Sequence, residues 1–363
     1  MGMEGVFWVC VCVTSYTYLG YPLLLAAWAW LAPNPPDKAE LGGRNWPSLS
    51  IILAARNEAD HLHSRLCNLL GLDYMGPREI IVVSDGSTDA TSAILDSFRG
   101  MVKAIELPSG GKPLALNKGV EAATGDVLVF TDARQHFDQD ALLQLAANFA
   151  DPEVGAVTGE LMLDDHATAS TIGDGVGLYW RYEKWLRRNE SAVWSTLGAT
   201  GAIYALRRAL WRPLPASTLL DDVLAPMRAV LSGYRIVFEE RARAHDRPSP
   251  DAAAESRRKT RTLAGNYQIL LQEPRLLLPV ANPVWLQYVS HKIGRLLVPW
   301  ALVGTLVSSA ALAPASWFFF VVVLAQAGFY GLAIVGGYLD ARGRKDKEVR
   351  EHLSAVLDTK GAR

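Results

Sequence analysis

The segment "EIIVVSDGSTDATSAILDSF", residues 79–98, decides how this chain folds. It opens with a run rich in Ile and Val, which favours a buried β-strand. Asp85 and Gly86 follow the run, and after them come polar capping residues and apolar residues at helical spacing. A strand, a short polar turn and a helix in this order form part of a βαβ unit, from which parallel sheets are built.

The same order of strand and helix recurs along the chain. Apolar runs at 49–55, 102–107 and 126–131 predict further strands, and the stretches 57–70 and 113–123 predict further helices, the second with Pro113 in its first turn. Strands that alternate with helices predict an α/β fold with a doubly wound, mainly parallel sheet. In such a sheet, ligands bind at the carboxyl ends of the strands.

Those carboxyl ends carry polar residues. The residues there that suit a nucleotide diphosphate are Asn57, Glu58, Asp85, Lys112 and Asp132. An acidic residue suits ribose hydroxyls, a lysine beside glycines suits phosphate, and a second acid suits a metal ion. Helix caps or tight turns account for any one of them, but four such strand ends in succession favour a binding site. No G-x-G-x-x-G follows the first strand and no G-x-x-x-x-G-K-[ST] occurs, which disfavours dinucleotide and P-loop sites.

The fourth strand ends in an altered metal motif, "VFTDARQHF" at residues 129–137. A strand that ends in Asp-x-Asp commonly holds a divalent cation over a diphosphate, but here Arg134 replaces the second aspartate and cannot be a ligand. We expect Asp132 to bind Mg²⁺ or Mn²⁺ together with water and diphosphate oxygens. Arg134 then pairs with a carboxylate such as Asp222 or reaches the phosphates itself.

Charge and cysteine content exclude some classes of protein. The 363 residues include 36 basic and 37 acidic residues, so the net charge is -1 and no broad basic field exists to bind nucleic acid. The cysteines are Cys10, Cys12 and Cys67, which cannot form a disulfide framework. This cysteine usage favours a reducing compartment.

Long uncharged runs predict membrane-spanning helices. Residues 6–31 exceed the length of about 20 needed to cross a bilayer, and 296–313 and 317–339 form two more such runs. A signal peptide is the alternative for the first run, but no Lys or Arg precedes it. Basic residues flank the runs on one side only, namely Arg44, Lys292, Arg295, Arg342, Arg344, Lys345 and Lys347. This bias predicts an outside N-terminus and a cytoplasmic C-terminus.

The predicted organisation is therefore a multi-pass protein of the inner (cytoplasmic) membrane. We expect an anchor at 1–32, a linker at 33–47, a cytoplasmic domain at 48–280, an interfacial segment with a transmembrane hairpin at 281–340, and a polar tail at 341–363.

Motifs in a fixed order connect these features to a known family. They are "AARNEAD" (54–60), "VVSDGSTDAT" (82–91), "GGKPLALNKG" (110–119), "VFTDAR" (129–134), "GATGAIYALRR" (198–208), "LLDDVLAPMRAVLSGYRIVFEE" (219–240) and "RRKTRTLAGNYQ" (257–268). From about Ser48 to "VSHKIGRLLVPW" (289–300), the chain resembles the membrane-bound, cellulose-synthase-like branch of the family 2 glycosyltransferases, which have the GT-A fold.

The resemblance implies roles for individual residues. Asp85 and the stretch 55–58 hold the nucleoside of the donor, Lys112 lies close to the donor, and Asp132 coordinates the metal. Asp222, supported by Asp221, stands where the family has its general base. An N-capping pair for the helix at 223–233 is the alternative interpretation of these two aspartates.

Three segments after residue 170 have alternative interpretations. Residues 257–265 stand in the place of the family's Q-x-x-R-W, which implies that Arg258 and Arg261 bind the donor and that Thr262 replaces the tryptophan; an exposed basic helix face is the alternative. The polar stretch 241–256 predicts a mobile loop that closes over the donor. The aromatic and basic helix at 178–190 either packs against the sheet or lies on the membrane surface.

We therefore expect an inverting glycosyltransferase that moves a sugar from a nucleotide-diphosphate sugar, by resemblance a UDP-sugar, to a lipid-linked or polysaccharide acceptor. Three spans are few for a polymer channel, which favours a glycolipid or single-addition product. A catalytically silent scaffold or partner subunit of a polysaccharide assembly is the alternative. A nucleotidyltransferase would need a glycine-rich loop after the first strand, and "ARNEAD" has no glycine.

Overall fold

The structure, a computed structural model, describes residues 2–40, 45–163, 171–246 and 252–338, with only the backbone of 171–177 and 252–255. The strands are β1 (Leu49–Ala55), β2 (Arg78–Asp85), β3 (Lys103–Leu107), β4 (Val127–Thr131), β5 (His136–Phe137), β6 (Val154–Leu163), β7 (Tyr204–Arg207) and β8 (Arg235–Asp246).

The helices alternate with these strands in the first half of the chain. They are α1 (Met3–Ser15), α2 (Tyr21–Leu31), α3 (Ala59–Gly71), α4 (Thr91–Ser97), α5 (Lys112–Glu121), α6 (Ala141–Ala147), α7 (Thr171–Val193), α8 (Asp221–Val230), α9 (Ala252–Gln272), α10 (Trp285–Gln287), α11 (Gly294–Leu312) and α12 (Trp317–Tyr338). A π-helical turn, Tyr16–Gly20, joins α1 to α2, and another, Tyr288–Ile293, joins α10 to α11.

The sheet has the strand order β3-β2-β1-β4-β7-β6-β8-β5. The first four strands in this order are parallel, as predicted. β7 is antiparallel to both β4 and β6, and β8 runs parallel to β6, so the complete sheet is mixed. The α/β fold class predicted from the sequence is confirmed, with the antiparallel β7 inserted in the middle of the sheet.

The core forms two layers, one on each face of the sheet. Side chains alternate between the faces of a strand. Val127 and Val129 of β4 therefore pack with the apolar residues of α3, α4 and α6, whereas Leu128 and Phe130 pack with those of α5 and α8. Asp132 directly follows the last residue of β4.

Among the described residues, three helices are long and apolar enough to cross a membrane: Met3–Leu31, Trp285–Leu312 and Trp317–Tyr338. The chain divides into two compact units, one with α1, α11 and α12 and the other with α2, the sheet and its helices up to Ile293. In the first unit α1 packs closely on α11, where a Cβ atom at Gly304 would lie 2.6 Å from the Cys10 sulfur. Small residues at such contacts allow apolar helices to approach each other closely.

Two segments differ from the sequence prediction. The first six residues of the predicted loop, Arg241–Asp246, belong to β8, and the last four of them pair with β6. α9 already begins at Ala252. The segment 178–190 is helical, as predicted, but its Leu186 is buried against Tyr21 and Leu25 of α2 and not in the core clusters on the sheet. Leu178, Tyr179 and Trp185 are exposed on the same helix. The predicted tail at 341–363 lies outside the described residues.

Candidate active site

The loop after β1 and the loop after β2 are hydrogen-bonded to each other. Asn57 adopts a left-handed conformation with φ of 54°, which asparagine tolerates better than most residues. Its side-chain oxygen accepts a hydrogen bond from the Thr88 N–H at 2.8 Å, and its own N–H donates to the Ser87 hydroxyl at 3.1 Å. The Glu58 N–H donates to Thr91 Oγ1 at 3.1 Å. The predicted nucleoside-binding stretch is thus held in one conformation by the loop after β2.

Asp85 fixes the turn that leads into α5. Its carboxylate accepts hydrogen bonds from the N–H groups of Gly110 (2.6 Å) and Gly111 (2.9 Å), and the side chain is buried. Gly86, with φ of 63°, passes so close to Ser109 that a Cβ atom would lie 2.6 Å from the Ser109 nitrogen. Only glycine fits there. The sequence predicts a nucleoside contact for Asp85, and the structure adds a role in holding the start of α5.

Lys112, the first residue of α5, connects two of the predicted carboxylates. Its ammonium nitrogen lies 2.9 Å from Asp132 Oδ1 and 3.4 Å from Asp221 Oδ2. Burial lowers the pKa of Lys112, but the charges of Asp132 and Asp221 outweigh burial and raise this pKa above its ordinary value. Lys112 is therefore charged at neutral pH.

Asp222 is held in place by the backbone of the loop before β7. Its carboxylate Oδ2 accepts a hydrogen bond from the Gly201 N–H at 2.9 Å, and its carbonyl accepts one from the Ala199 N–H at 2.8 Å. Burial and the adjacent charge of Asp221 raise the pKa of Asp222 to about 6, against the lowering effect of Lys112. A carboxylate with this pKa is a stronger base than an ordinary aspartate and is still ionised at neutral pH.

The capping interpretation of the two aspartates is wrong. They are the first residues of α8, the N-cap residue is Leu220, and the N-cap makes no side-chain hydrogen bond to the helix.

The segment before the acid pair is bound by α9. Arg261 donates a hydrogen bond to the Leu219 carbonyl at 3.0 Å. Gln268 accepts one from the Leu219 N–H at 2.9 Å and donates one to the Ser217 carbonyl at 2.8 Å. Gly265 lies against Leu220, where a Cβ atom would meet Leu220 Cγ at 2.5 Å. Arg258 lies one turn before Arg261 on the exposed side of the helix.

The positive charge of Arg134 influences the pKa of Glu58. Burial raises the pKa of Glu58, whereas the charge of Arg134 lowers it. Among the described residues no ion pair joins Arg134 to Asp222, so the predicted alternative of pairing with Asp222 is wrong. The charge of Arg134 acts instead on the carboxylate of Glu58, which follows the end of β1.

A divalent cation fits this set of residues only together with a donor. Asp132 offers a carboxylate with 39% of its side chain exposed, and no group of three or more His, Cys, Asp or Glu side chains within the described ranges could hold a metal ion. Mg²⁺ often keeps water ligands and binds through one carboxylate plus substrate phosphates. A cation at Asp132 would therefore need water and the donor's phosphate oxygens as its other ligands.

Sequence reasoning missed two buried residues beside the site. Tyr204 of β7 is fully buried, stacks on Phe130 with ring centroids 4.7 Å apart, and has a hydroxyl group without a hydrogen-bond partner among the described residues. Burial, and then the charges of Asp221 and Asp222, raise its pKa well above the usual value, so the hydroxyl remains protonated. Nothing in the sequence identifies this tyrosine as part of the site.

The second missed residue is Arg65 of α3, whose side chain is fully buried. In the sequence it stands among Leu62, Leu66 and Leu69, which occupy the buried stripe of α3. A charged residue in an apolar stripe is an unusual pattern, and this pattern could have identified Arg65 from the sequence.

The chain is similar to known proteins over most of these residues. Residues 50–211 match the family model described as glycosyl transferase family 2. The chain is 25% identical over 236 residues to poly-beta-1,6-N-acetyl-D-glucosamine synthase of Staphylococcus aureus. This match covers 62% of this chain and 56% of that protein. The Staphylococcus epidermidis protein of the same name is 24% identical over 233 residues. The chain thus spans little more than half the length of these relatives.

A solved structure resembles nearly the whole chain. The mannosyltransferase PcManGT from Pyrobaculum calidifontis, in complex with GDP-Man and Mn²⁺, has a TM-score of 0.68 and 22% sequence identity, and the match covers 91% of this chain and 92% of that one. This likeness shows the GT-A fold.

Proposed function

Residues 50–211 are a family 2 glycosyltransferase domain, and we propose that the chain is a membrane-bound inverting glycosyltransferase. It transfers a sugar from a nucleotide-diphosphate sugar to a lipid-linked or polysaccharide acceptor. The observation that carries this proposal is the ion-paired Lys112, which lies between Asp132 and Asp221, next to Asp222 with a pKa of about 6. A cation for the leaving diphosphate and a base for the acceptor are thereby side by side.

Asp222 is the general base in this proposal. As the acceptor hydroxyl attacks the anomeric carbon, its proton passes to the Asp222 carboxylate, and the bond between that carbon and the diphosphate oxygen breaks. A single displacement of this kind inverts the anomeric centre. The Gly201 N–H holds one carboxylate oxygen of Asp222, and Asp221 raises the basicity of Asp222 through its charge.

The leaving nucleoside diphosphate carries negative charge that must be stabilised. Lys112 supplies a fixed ammonium group, and Arg258 and Arg261 supply guanidinium groups from α9. A divalent cation, held by Asp132 and the phosphate oxygens, would add Lewis-acid stabilisation of the same charge. Arg134, on the exposed surface two residues further on, adds a positive charge where the common motif has a ligand.

The nucleoside is proposed to lie at the ends of β1 and β2. Ala55, Asn57, Glu58 and Asp85 are held there by the hydrogen bonds between the two strand ends and the turn at Gly110. Because the named relatives make a polymer of N-acetylglucosamine, UDP-N-acetylglucosamine is the first donor to test.

We further propose that the protein lies in the inner membrane with residues 48–280 in the cytoplasm. The support is the three apolar helices and the one-sided distribution of basic residues. A lipid-linked acceptor fits this location because it would present its hydroxyl at the membrane surface.

Turnover of nucleotide-sugars by the purified full chain tests the proposal. The protein, in detergent or lipid nanodiscs, is incubated with a panel of UDP- and GDP-sugars and with Mg²⁺ or Mn²⁺, and released nucleoside diphosphate is measured. We expect release from at least one donor, and loss of release in Asp222→Asn. A folded protein that turns over no donor and binds none would contradict the proposal and favour the silent scaffold. That alternative rests on Arg134, which replaces the second aspartate of the Asp-x-Asp motif.

A chelator tests the cation separately. We expect EDTA to lower turnover at least about tenfold and Mn²⁺ or Mg²⁺ to restore it. Full activity in EDTA would show that Lys112, Arg134 and the arginines of α9 neutralise the diphosphate without a metal.

A further inference from the structure

Arg65 is a buried cation that the proposed mechanism does not use. Its side chain has 0% relative exposure, and its guanidinium carbon lies 4.1 Å from the centre of the Phe137 ring. One Nη atom donates to Thr131 Oγ1 at 2.6 Å and the other donates to Asn68 Oδ1, while Nε has no hydrogen-bond partner among the described residues. Within the same ranges no carboxylate lies within ion-pair distance of it. An unpaired buried charge is strongly destabilising.

Packing and hydrogen bonding do not explain this charge. Thr131 Oγ1 also donates to the Ala202 carbonyl at 2.9 Å, and Asn68 Oδ1 also accepts from the Phe137 N–H at 2.9 Å. Both partners therefore keep a hydrogen bond without Arg65. A methionine of similar volume would fill the same space without the cost of burying a charge.

A second buried arginine shows what a structural arginine looks like in this fold. Arg235 is 1% exposed, but it donates to the carbonyls of Trp194 (2.8 Å), Asn34 and Ser191 (3.2 Å). It connects β8 to two other segments, the end of α7 and the stretch at Asn34, and its removal would leave these carbonyl groups without that donor. Arg65, in the part of the chain that the structure describes, makes no hydrogen bond to a backbone carbonyl.

The position of Arg65 indicates where its charge acts. Thr131, to which it donates, is the last residue of β4 and directly precedes Asp132, the predicted diphosphate end of the site. Burial lowers the pKa of Arg65 to about 9, with the charge of Asp132 acting in the opposite direction, so Arg65 is still cationic at neutral pH. Asp132 is already paired with Lys112. Both positive charges therefore act on Asp132, but only Lys112 forms an ion pair with it.

We infer that Arg65 is an electrostatic residue of the donor site: a buried positive charge behind the end of β4 that strengthens binding of the donor's diphosphate. It acts through space and through Thr131 without touching the ligand. Because it is excluded from water, its field is screened less by solvent and salt than that of a surface arginine. This inference rests on the proposed function, since it requires a diphosphate at Asp132.

Three substitutions separate charge from shape. Arg65→Met removes the charge and keeps the volume, Arg65→Gln removes the charge and keeps a donor for Thr131 or Asn68, and Arg65→Lys keeps the charge. The probes are UDP, GDP and inorganic diphosphate, titrated calorimetrically into the purified full chain at fixed salt, with and without Mn²⁺. Thermal unfolding of each variant is measured in parallel, and Arg235→Met is the control for a structural arginine.

We expect Arg65→Met and Arg65→Gln to bind the tightest of these probes about tenfold more weakly than the wild type, as for one charge acting across a low-dielectric path. Arg65→Lys should restore most of the affinity. The thermal midpoint of Arg65→Met should be equal to or above that of the wild type. Arg235→Met should show the reverse pattern, with a lower midpoint and unchanged affinity in the folded protein.

Unchanged affinity in Arg65→Met and Arg65→Gln, with the wild type binding a probe, would overturn the inference and leave the proposed function intact. A lower midpoint of Arg65→Met with unchanged affinity would make Arg65 a packing residue and overturn it as well. If the wild type binds no nucleotide and no diphosphate, the proposed function fails, and the inference fails with it.

Discussion

At the scale of single residues, the site depends on how one cation and three carboxylates share charge. Lys112 forms ion pairs with Asp132 and Asp221. The carboxylates of Asp221 and Asp222 repel each other, which raises the pKa of Asp222. Since like charges in a buried site cannot all ionise easily, one carboxyl group keeps its proton to a higher pH. Burial and the charge of Asp221 raise the pKa of Asp222, so this group is Asp222.

Asp222→Asn tests this assignment. The amide keeps an oxygen to accept the Gly201 N–H, but it cannot take a proton, so we expect kcat to fall about 10²–10⁴-fold with little change in affinity for UDP. In the wild type, kcat should rise with pH through about 6, as Asp222 loses its proton. A pH profile that is flat between 5 and 8, measured with saturating donor, would contradict the assignment.

The same substitution should stabilise the protein above pH 6. The pKa of Asp222 is raised from 3.8 to about 6 in the folded state, so the folded state binds the proton more tightly than the unfolded state. The stabilisation that this proton provides is complete below about pH 4 and is lost as pH rises through about 6. At pH 7.5 we therefore expect the free energy of unfolding of Asp222→Asn to exceed that of the wild type by about 1–2 kcal/mol, measured by thermal or denaturant unfolding. A less stable variant at this pH would contradict the raised pKa.

Neighbouring charges should move the pH profile in opposite directions. Lys112 lowers the pKa of Asp222 and Asp221 raises it. We expect Lys112→Met to shift the acidic limb of kcat to higher pH and Asp221→Asn to shift it to lower pH. Lys118→Met is the control, because Lys118 is on the same helix and pairs with the exposed Glu121. Equal shifts in Lys112→Met and Lys118→Met would exclude a specific effect of Lys112.

At the scale of elements, α9 positions the start of α8. Gln268 binds both the N–H of Leu219 and the carbonyl of Ser217, and Gly265 allows α9 to approach Leu220. The acid pair follows directly after these residues. The motif that resembles a substrate-binding sequence therefore also holds the segment before the acid pair in place.

Gln268→Ala tests this coupling between α9 and the acid pair. Without its two hydrogen bonds the segment at 217–220 gains freedom, and we expect kcat to fall about tenfold while the affinity for UDP changes little. The free energy of unfolding should fall by about 1–2 kcal/mol. Asn266→Ala is the matched control, since Asn266 donates within α9, to the Thr262 carbonyl. If both variants lose the same activity, α9 does not position the acid pair.

At the scale of the whole molecule, the chain combines a GT-A domain with three helices that can span a membrane. The GT-A fold predicted from the motifs is confirmed, and residues 50–211 match the family 2 model, whereas the cellulose-synthase-like branch stays a prediction. The orientation in the membrane stays a prediction as well, and the native cysteines allow it to be measured.

Cys67 is exposed on α3, in the proposed cytoplasmic domain, whereas Cys10 and Cys12 lie on α1 in the first apolar helix. In a variant with Cys10→Ser and Cys12→Ser, a membrane-impermeant maleimide should label Cys67 in inverted membrane vesicles and not in intact spheroplasts. Labelling of Cys67 in intact spheroplasts would place the domain outside the cytoplasm.

Local patterns in the sequence were sufficient to predict the parallel half of the sheet. The runs at 49–55 and 79–84 became β1 and β2 within one residue, and the helix predicted at 113–123 became α5. Each has a strong periodicity and a clear turn after it. The prediction was wrong for Arg241–Asp246, because the polar composition resembles a loop and only pairing with β6 and β5 makes it strand.

The sequence by itself determined the fold class, the likeness to family 2 glycosyltransferases and which residue types stand at the strand ends, because these depend on local periodicity and on motif order. Only the tertiary structure decided which charges meet. It paired Lys112 with Asp132 and Asp221, directed the effect of Arg134 to Glu58, and buried Arg65 and Tyr204 beside the site. These relations join residues far apart in the chain, and their strength depends on distance and burial, which no local pattern specifies.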